Sequence, residues 1–232
     1  MLTAKWLATC AFALVVGGSV TVTSSAAAQT PEDTLLAYAV HIHQTPMQTW
    51  GPGAGIYVGN GNVLTAAHVA GRTWFTRPKV VVAGVEYPTR VVKEGHLDST
   101  DVTMLAVDEK SLPMRLRLRR LDLCRARPWP NEEVVTVVPG SVVRTRIIDP
   151  VRIPIGARKF DTAVADVAKT GNSGSGVFDL RQRCLLGIMS RKISQKRINA
   201  MTRQEETIDI AKYFVPAAEI ATFLPSSTMT SR

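Results

Sequence analysis

Three side chains of this sequence have the types and the order that a nucleophilic hydrolase requires. Ser173 lies in the small-residue segment GNSGSG, His68 ends the segment NVLTAAH, and Asp101 stands directly before the apolar segment VTMLAV. A serine hydroxyl becomes an effective nucleophile when a neighbouring base removes its proton, and a buried carboxylate holds the imidazole in the tautomer that does so. The chain order His68, Asp101, Ser173 is one of the orders in which such triads occur. Covalent hydrolysis through these three residues is therefore the leading hypothesis.

Each of the three residues also has a simpler interpretation. The Gly-Ser segment around Ser173 is compatible with a flexible turn, and His68 by itself is compatible with a packed histidine. Asp98 is an alternative acid, but it lies three residues earlier in a polar loop, where solvent weakens a bond to an imidazole. Lys169 is an alternative base for Ser173, in a less specific sequence context than that of His68. The triad is preferred because three weak signals occur together and in the right order.

His41 and His43 raise the separate question of a metal site. Because they are two residues apart on an expected strand, they would lie on the same face, as a pair of metal ligands can. No third cluster of ligand residues accompanies them in the sequence, so we interpret both as residues of a half-exposed strand. We therefore expect neither a metal nor another cofactor.

The segments that must position the triad are short, rich in β-branched residues and separated by turns. The segment GAGIYVGNGNVLTAAHV contains two strands around a Gly-Asn-Gly turn, which is a strong hairpin signal. LLAYAVHIHQ alternates between apolar and polar residues and is a further expected strand. Many short strands with a turn about every 8–12 residues predict an all-β fold of antiparallel sandwiches or barrels. PAAEIATFL differs, since Pro216 at its start and the helical spacing of its apolar residues predict a C-terminal helix.

A basic segment, SLPMRLRLRRLDLCRARPWP, marks the expected boundary between two units of the chain. Leu116 and Leu118 alternate with arginines there, which predicts an extended connector with one solvated face. An anion-binding stripe is the alternative interpretation. Nucleic-acid binding would favour interleaved aromatic side chains for stacking, and Trp129 alone is near, so we expect no nucleic-acid partner.

The first 28 residues have the features of a secretory signal peptide. Lys5 precedes the apolar run WLATCAFALVVGGSV, and small residues follow it up to an expected cleavage site after Ala28. The run is short and interrupted by glycines, which disfavours the alternative of an uncleaved membrane anchor. We therefore expect a secreted or periplasmic protein without stable membrane insertion. Loss of Lys5 lowers the formal net charge from +9 to about +8, which favours contact with anionic surfaces without specifying one.

The expected mature chain retains two cysteines, Cys124 and Cys184. An even number of cysteines in an oxidising compartment predicts a disulfide. Two unpaired, buried cysteines are the alternative. If paired, they would join the start of the second unit to the strand that follows Ser173.

The segments LTAAHV, DVTMLAV and GNSGSG resemble the three motif blocks of the trypsin-like, chymotrypsin-fold serine proteases, and are similar in style to the bacterial exported members. The resemblance covers roughly residues 35 to 195. It implies two six-stranded, antiparallel Greek-key β-barrels with the active site between them, often followed by a C-terminal helix. It also implies hydrolysis of peptide bonds through an acyl-enzyme, without a cofactor, by His68, Asp101 and Ser173.

The resemblance implies further roles around the nucleophile. The N–H groups of Gly171 and Ser173 correspond to the donors of an oxyanion hole. Ser190, in the segment LLGIMS, corresponds to the serine that supports the catalytic aspartate, here Asp101. The positions that correspond to the primary substrate pocket are Val167, Ala168, Ser190 and Lys192.

The residues of this pocket imply a substrate preference. Val167 is uncharged where trypsins place an aspartate that pairs with an Arg or Lys of the substrate. Burying a substrate cation without a partner is costly, so we expect weak cleavage after Arg or Lys and a preference for small apolar residues. Acidic residues are a further option if Lys192 points inward, and the alternative is that Lys192 extends into solvent.

Two positions beside the nucleophile depart from the family's pattern. Asn172 replaces the aspartate that pairs, in animal trypsins, with a newly cut N-terminal ammonium group. Asn172 cannot form that ion pair, so we expect the trypsin activation route to be absent. Protein cleaved only at the signal site is then expected to be active already, or to be regulated by something other than the trypsin switch. Ser175 replaces a glycine and, being small, is expected to be tolerated.

The chain divides, on these arguments, into four parts. We assign 1–28 to the signal peptide, 29–117 to an N-terminal barrel, 118–212 to a C-terminal barrel, and 213–232 to a C-terminal helix and tail. The expected function is that of a monomeric, exported serine endopeptidase acting on protein or peptide substrates. The alternatives are a protease-fold binding protein that has lost catalysis and a basic surface-binding protein whose Gly-Ser loop is structural.

Overall fold

The computed structural model describes residues 30–44, 53–157, 161–165 and 172–225. Within these ranges the chain forms two antiparallel sheets and five short α-helices. The sequence predictions that lie outside the described residues concern the signal peptide and the positions Val167, Ala168, Lys169 and Gly171.

Seven strands form the first sheet: β1 (Ala39–His43), β2 (Gly53–Gly59), β3 (Asn62–Thr65), β4 (Lys79–Val82), β5 (Val85–Pro88), β6 (Arg90–Lys93) and β7 (Thr103–Ala106). Their order in the sheet is β5-β4-β1-β2-β3-β7-β6. The predicted hairpin is β2 and β3, joined by Asn60 and Gly61, which both have positive φ as a tight hairpin turn requires. β5 and β6 lie at opposite edges of this order, yet only Thr89 separates them along the chain. This continuous segment therefore joins the two edges and curls the sheet into a barrel.

Six strands form the second sheet: β8 (Glu133–Val138), β9 (Ser141–Arg146), β10 (Ala163–Val164), β11 (Gly176–Asp179), β12 (Cys184–Ile198) and β13 (Glu205–Pro216). Their order is β10-β13-β12-β11-β8-β9. The two edges of this sheet meet just beyond β9, where Ile147 and Val164 form an antiparallel bridge. Because its edges are joined, the second sheet is also curled on itself.

The predicted fold class is confirmed: the protein is mostly β, with two curled antiparallel sheets and a C-terminal helix. The first sheet has seven strands instead of the six that the resemblance implies. The extra strand results from the bend at Thr89, which divides one long edge segment into β5 and β6.

The apolar core holds the two barrels face to face. One cluster of buried side chains combines Ile56 and Met104 from the first sheet with Val135, Phe178 and Ile188 from the second. Two further clusters fill the interiors of the separate barrels. Since fully burying one such side chain contributes about 1.5–3 kcal/mol, the shared cluster gives the inter-barrel contact a large apolar stabilisation.

The α-helices are α1 (Pro31–Leu36), α2 (Ala67–Ala70), α3 (Thr73–Thr76), α4 (Met114–Arg117) and α5 (Ala217–Phe223). The predicted C-terminal helix is α5, and Pro216 is its N-cap residue. Strand β13 continues to Pro216, so residues 213–216 belong to the sheet and the helix begins four residues later than the expected domain boundary. The boundaries between the four parts of the chain otherwise stay a prediction. Among the described residues, no helix is long and apolar enough to cross a membrane.

The start of the described chain is helical where the sequence pattern predicted a strand. LLAYAVHIHQ was expected to be extended throughout, but its first two residues belong to α1 and only Ala39–His43 is a strand. A capping box explains the helix, because the Thr30 side chain accepts from the Asp33 N–H and the Asp33 carboxylate accepts from the Thr30 N–H. Thr30 and Asp33 are three residues apart in the sequence, which is the spacing that a capping box requires.

The prediction of an extended basic connector is wrong for its first part. Residues Met114–Arg117 form the helical turn α4, which begins after Pro113. Leu116 points into the core of the first barrel with 2% exposure, whereas Leu118 is 76% exposed. Alternation of leucine and arginine suggested a strand, but proline at the helix start and burial of a single leucine favour the helical turn.

The predicted disulfide is confirmed between Cys124 and Cys184. It joins the segment before the second sheet to the first residue of β12, and the neighbouring Leu123 and Leu185 form a parallel bridge. The Cys124 N–H also donates to the Leu185 carbonyl over 3.0 Å. The bond therefore attaches the inter-barrel connector to β12, the second strand after Ser173, and not to the strand directly after it as the sequence suggested.

Candidate active site

Ser173 lies in a tight turn that is fixed to both barrels. The Ser173 carbonyl accepts from the Ala54 N–H in β2 over 3.0 Å, and the Gly174 N–H donates to the Met189 carbonyl in β12 over 2.8 Å. Gly174 has φ +88°, and a Cβ at this position would lie 1.9 Å from the Ala54 carbonyl oxygen. Glycine is therefore required here, because the backbone is left-handed and in close contact with the first barrel.

His68 lies in α2, directly after the strand β3. Ala66 and Ala67 before it are buried, so the chain passes closely over the core, while the His68 side chain stays 31% exposed. The Val69 and Ala70 N–H groups both donate to the Ala66 carbonyl and form the single helical turn. Small residues thus allow the imidazole to stand at the barrel surface and face the neighbouring elements.

Asp101 binds His68 through two hydrogen bonds. The His68 N–H donates to Asp101 Oδ1 over 3.0 Å, and His68 Nδ1 lies 2.8 Å from Asp101 Oδ2. The Asp101 side chain has no exposed surface, so solvent does not compete for these bonds. Because both the backbone N–H and the ring of His68 contact Asp101, these hydrogen bonds fix the orientation of the carboxylate and of the imidazole.

Ser190 completes the surroundings of the Asp101 carboxylate. Its hydroxyl donates to Asp101 Oδ2 over 2.5 Å, and its side chain is almost fully buried. Burial raises the pKa of Asp101, but the hydrogen bonds and charge of His68 and the hydrogen bond of Ser190 lower that pKa below its ordinary value. An ionised carboxylate only accepts hydrogen bonds, so His68 Nδ1 carries a proton and the lone pair of the ring lies on Nε2.

The Ser173 hydroxyl donates to the Ser190 carbonyl over 3.1 Å. Within the described part of the chain it makes no hydrogen bond to His68. Ser190 therefore contacts both halves of the candidate triad, with its hydroxyl on Asp101 and its carbonyl on Ser173. The sequence motif indicated the first contact, whereas the second depends on the position of the strand backbone and has no sequence signal.

The alternative acid, Asp98, lies away from the candidate histidine. Its side chain is 83% exposed, and its carboxylate is 3.5 Å from Nδ1 of His96 in the same loop. This loop is connected to the second barrel, because the Arg191 guanidinium donates to the Leu97 carbonyl. Among the two aspartates weighed from the sequence, Asp101 is thus the one that contacts His68.

Ser175, one of the two departures from the family's pattern, lies buried beside the turn of Ser173. Ser175 is fully buried, and its N–H donates to the Asn172 carbonyl over 3.1 Å. The Ser175 hydroxyl is buried without a hydrogen-bond partner among the described residues. The site has space for the small side chain, at the cost of one unsatisfied hydroxyl.

Of the predicted pocket residues, Ser190 and Lys192 are described. The Lys192 ammonium group binds the Asp209 carboxylate over 2.5 Å, and the Lys192 hydrogen bond is the largest cause of the lowered pKa of Asp209. Lys212, which sequence reasoning missed, lies directly opposite Lys192 in the pairing of β12 with β13 and is 4% exposed. A lysine inside the apolar segment IAKYFV was the one available signal of this buried position.

His41 and His43 both lie on β1, with ring centroids 6.5 Å apart. His43 Nδ1 on β1 lies 3.1 Å from the carboxylate of Glu86 on β5, which is separated from β1 by β4 in the first sheet. Burial and the nearby His43 lower the pKa of His41. Among the described residues, no group of three potential ligand side chains is suitably placed for a metal ion.

The sequence also identifies the family of the chain. The sequence profile of the trypsin-like peptidase domain matches residues 53–188, which is more than half of the 232 residues. The chain belongs to this family. The match includes His68, Asp101 and Ser173. No curated protein sequence matches the chain.

Solved structures of proteases share the fold of this trypsin-like chain. The inactive form of the Rv3671c protease of M. tuberculosis is 19% identical, with a TM-score of 0.56 over 87% of this chain and 93% of that one. A serine endoprotease from Yersinia pestis is 17% identical, with a TM-score of 0.56 over 83% of this chain and 62% of that one. The MamO protease domain from Magnetospirillum magneticum is 16% identical, with a TM-score of 0.55 over 83% of this chain and 98% of that one. At these low sequence identities, the similarity to the three structures establishes the fold of the chain.

Proposed function

We propose that the protein is an exported serine endopeptidase that cleaves protein or peptide substrates through an acyl-enzyme. Ser173 is the nucleophile, His68 is the general base and acid, and Asp101 orients and stabilises the imidazole. The observation that carries this proposal is the buried Asp101 carboxylate, which receives hydrogen bonds from both the backbone and the ring of His68. Membership of a peptidase family supports the same reaction.

The reaction begins when His68 Nε2 removes the proton from the Ser173 hydroxyl as its oxygen attacks the substrate carbonyl. The hydroxyl rotates for this step from the Ser190 carbonyl towards the imidazole, since it donates to Ser190 in the free protein. Asp101 stabilises the imidazolium that forms. His68 then donates this proton to the leaving amine, which completes the acyl-enzyme, and a water molecule activated by His68 releases the acyl group by the same route.

The developing oxyanion requires hydrogen-bond donors next to Ser173. The N–H groups of Gly171 and Ser173 are the proposed donors, and removing one such donor typically costs about 2.7–4 kcal/mol of transition-state stabilisation. The sharp turn at Gly174 supports this assignment, because it fixes the backbone of the nucleophile against β2.

The proposed export rests on the signal-peptide pattern of the first 28 residues. The disulfide between Cys124 and Cys184 supports it, because such bonds persist in oxidising compartments. A secreted or periplasmic location, a monomeric state and the absence of the trypsin activation route are parts of the same proposal. The proposed ligands of the protein are protein or peptide substrates, and the proposal includes neither a nucleic acid nor a cofactor.

Labelling with a fluorophosphonate probe tests the proposed function. The probe forms a covalent bond with an activated serine, so we expect labelling of the wild-type protein and none of Ser173→Ala. Ser141→Ala, at the exposed start of β9, is the matched control and should be labelled like the wild type. A folded wild-type protein that resists labelling but binds peptides would contradict the proposal and favour a protease-fold binding protein.

A further inference from the structure

Two aromatic side chains lie exposed on the helix that follows α2. Trp74 and Phe75 in α3 are 74% and 60% exposed. Their rings meet edge to face, with centroids 5.8 Å apart, and so form one continuous apolar surface. Single exposed apolar residues are ordinary, but adjacent large aromatic residues form a surface suited to binding.

This aromatic pair is fixed relative to His68. Helix α3 is attached to α2 by Thr76 Oγ1, which donates to the Ala70 carbonyl over 2.6 Å. At the other end of α3, Thr73 Oγ1 donates to the Glu94 carboxylate over 2.5 Å. Since α2 carries His68, the two aromatic rings are presented by a rigid element and do not depend on a flexible loop.

The pair is close enough to the reaction centre to touch a bound substrate. Trp74 follows His68 by six residues, so their Cα atoms are at most about 20 Å apart. An extended peptide advances about 3.3 Å per residue. An extended substrate segment of about six residues is therefore long enough to span the distance from His68 to Trp74.

The mechanism indicates which side of the scissile bond this is. His68 returns its proton to the leaving amine, so the leaving part of the substrate passes next to the imidazole. Elements attached to the helix of His68 border this part of the substrate. The acyl part is held at Ser173, whose turn is bonded to β12 in the second barrel as well as to β2 in the first.

We propose, on the basis of the proposed protease function, that Trp74 and Phe75 form a substrate subsite for a large apolar side chain on the leaving-group side of the scissile bond. Aromatic rings offer rigid apolar contact area with few rotamers to immobilise. The expected contribution of such a contact is about a tenfold increase in kcat/KM for a peptide with an apolar residue at the matching position.

A membrane surface is a less suitable occupant of this pair. Stable attachment to a bilayer needs two anchoring signals, and even one long acyl chain binds only marginally. The pair comes from a single helical turn of four residues, Thr73–Thr76, so it offers far less apolar length than an interfacial helix. One substrate side chain, in contrast, needs no more area than two aromatic rings provide.

Two matched fluorogenic peptides test the subsite. The two peptides have the same acyl side. On the leaving side, one peptide carries leucine and phenylalanine, and the other carries serine in their place. A small activated ester that lacks a leaving peptide serves as a third substrate. We expect the wild type to prefer the apolar peptide by about tenfold in kcat/KM. Trp74→Ser combined with Phe75→Ser should abolish this preference and leave ester hydrolysis unchanged.

The control variant is Met201→Ser, in the turn between β12 and β13, where an apolar side chain is 95% exposed. It should keep the preference for the apolar peptide. An equal preference in the double variant and the wild type overturns the proposal, as does equal hydrolysis of the two peptides by the wild type. Binding to anionic vesicles that is lost in the double variant, with the peptide preference intact, overturns it in favour of a membrane site.

Binding measurements separate failure of the subsite from failure of the proposed function. Calorimetric titration of Ser173→Ala with the two peptides needs no hydrolysis. Tighter binding of the apolar peptide, lost when Trp74 and Phe75 are both changed to serine, supports the subsite even if the wild type is inactive. If Ser173→Ala binds both peptides equally, the subsite proposal is overturned. Hydrolysis of the ester by the wild type tests the proposed protease function independently of that result.

Discussion

The histidine half of the candidate site is held more tightly than the serine half. Asp101 is inaccessible to solvent and accepts hydrogen bonds from the backbone and ring of His68 and from the Ser190 hydroxyl. The Ser173 hydroxyl donates to one backbone carbonyl, that of Ser190. The difference teaches that the hydrogen bonds around Asp101 exist before substrate binds, whereas the proposed mechanism requires the Ser173 hydroxyl to rotate towards the imidazole during the reaction.

The largest effects should follow from removing the nucleophile or the base. We expect Ser173→Ala and His68→Ala each to lower kcat by about 10⁴–10⁶-fold, because the residues act as a unit. The double variant should lose little more than either single variant. Steady-state hydrolysis of a peptide, with the melting temperature as a check of folding, measures this. If the fold-decrease in kcat of the double variant equals the product of the decreases in the two single variants, the two residues act independently.

Asp101→Asn tests the tightly held half. The amide has the shape of the carboxylate but neither its charge nor its preference for one imidazole tautomer, so we expect kcat to fall by about 10⁴-fold. Asp98→Asn is the matched control, since the Asp98 side chain is 83% exposed and pairs with His96. Full activity in Asp101→Asn together with loss in Asp98→Asn would show that the other aspartate is the functional acid.

Removing the disulfide should destabilise the second barrel. Cys124 and Cys184 are 60 residues apart, for which the chain-entropy account of disulfides gives about 4 kcal/mol of unfolding free energy. The double variant Cys124→Ser with Cys184→Ser should lose about this amount in urea denaturation. Wild-type protein under reducing conditions should behave in the same way. Equal stability of variant and wild type would mean that the bond does not stabilise the barrel.

Ser190 joins the two halves, so its hydroxyl and its carbonyl have separable roles. Ser190→Ala removes a hydrogen bond to a buried carboxylate and should lower kcat by about tenfold to hundredfold, with little change in KM. Ser190→Thr keeps a hydroxyl and should recover part of the loss. Ser194→Ala, whose hydroxyl binds the partly exposed Asp209, is the control and should retain activity. A rise in KM with unchanged kcat would assign Ser190 to substrate binding alone.

The smallest expected effect concerns the residue preceding the cleaved bond. Val167 offers no negative charge, and the Lys192 ammonium group is bound to Asp209, so we expect small apolar residues to be preferred over Arg or Lys. Profiling against a mixed peptide library measures the preference. Lys192→Ala should change it by less than about tenfold, because an exposed ion pair contributes little. Dominant cleavage after Arg or Lys would refute this assignment of the pocket.

The sequence by itself determined the fold class, the disulfide and the residues that form the candidate triad. His68, Asp101 and Ser173 were identifiable because each lies where an apolar strand meets small or polar residues, a pattern that local chemistry imposes. Cys124 and Cys184 were identifiable because two cysteines in an expected oxidising compartment have one possible pairing. These features depend on short segments, or on the count of a rare residue, and can therefore be recognised from the amino-acid sequence without the structure.

Only the tertiary structure decided how these residues are held. The Ser190 carbonyl on Ser173, the Lys192–Asp209 ion pair and the burial of Lys212 depend on the register between strands distant in sequence. The helical turn α4 formed because the first barrel buries Leu116, which outweighs the alternating local pattern. Local propensity differs by less than about 1 kcal/mol per residue, whereas one fully buried leucine contributes about 1.5–3 kcal/mol. Packing between distant segments is therefore the larger energy, and it is not encoded in any single segment.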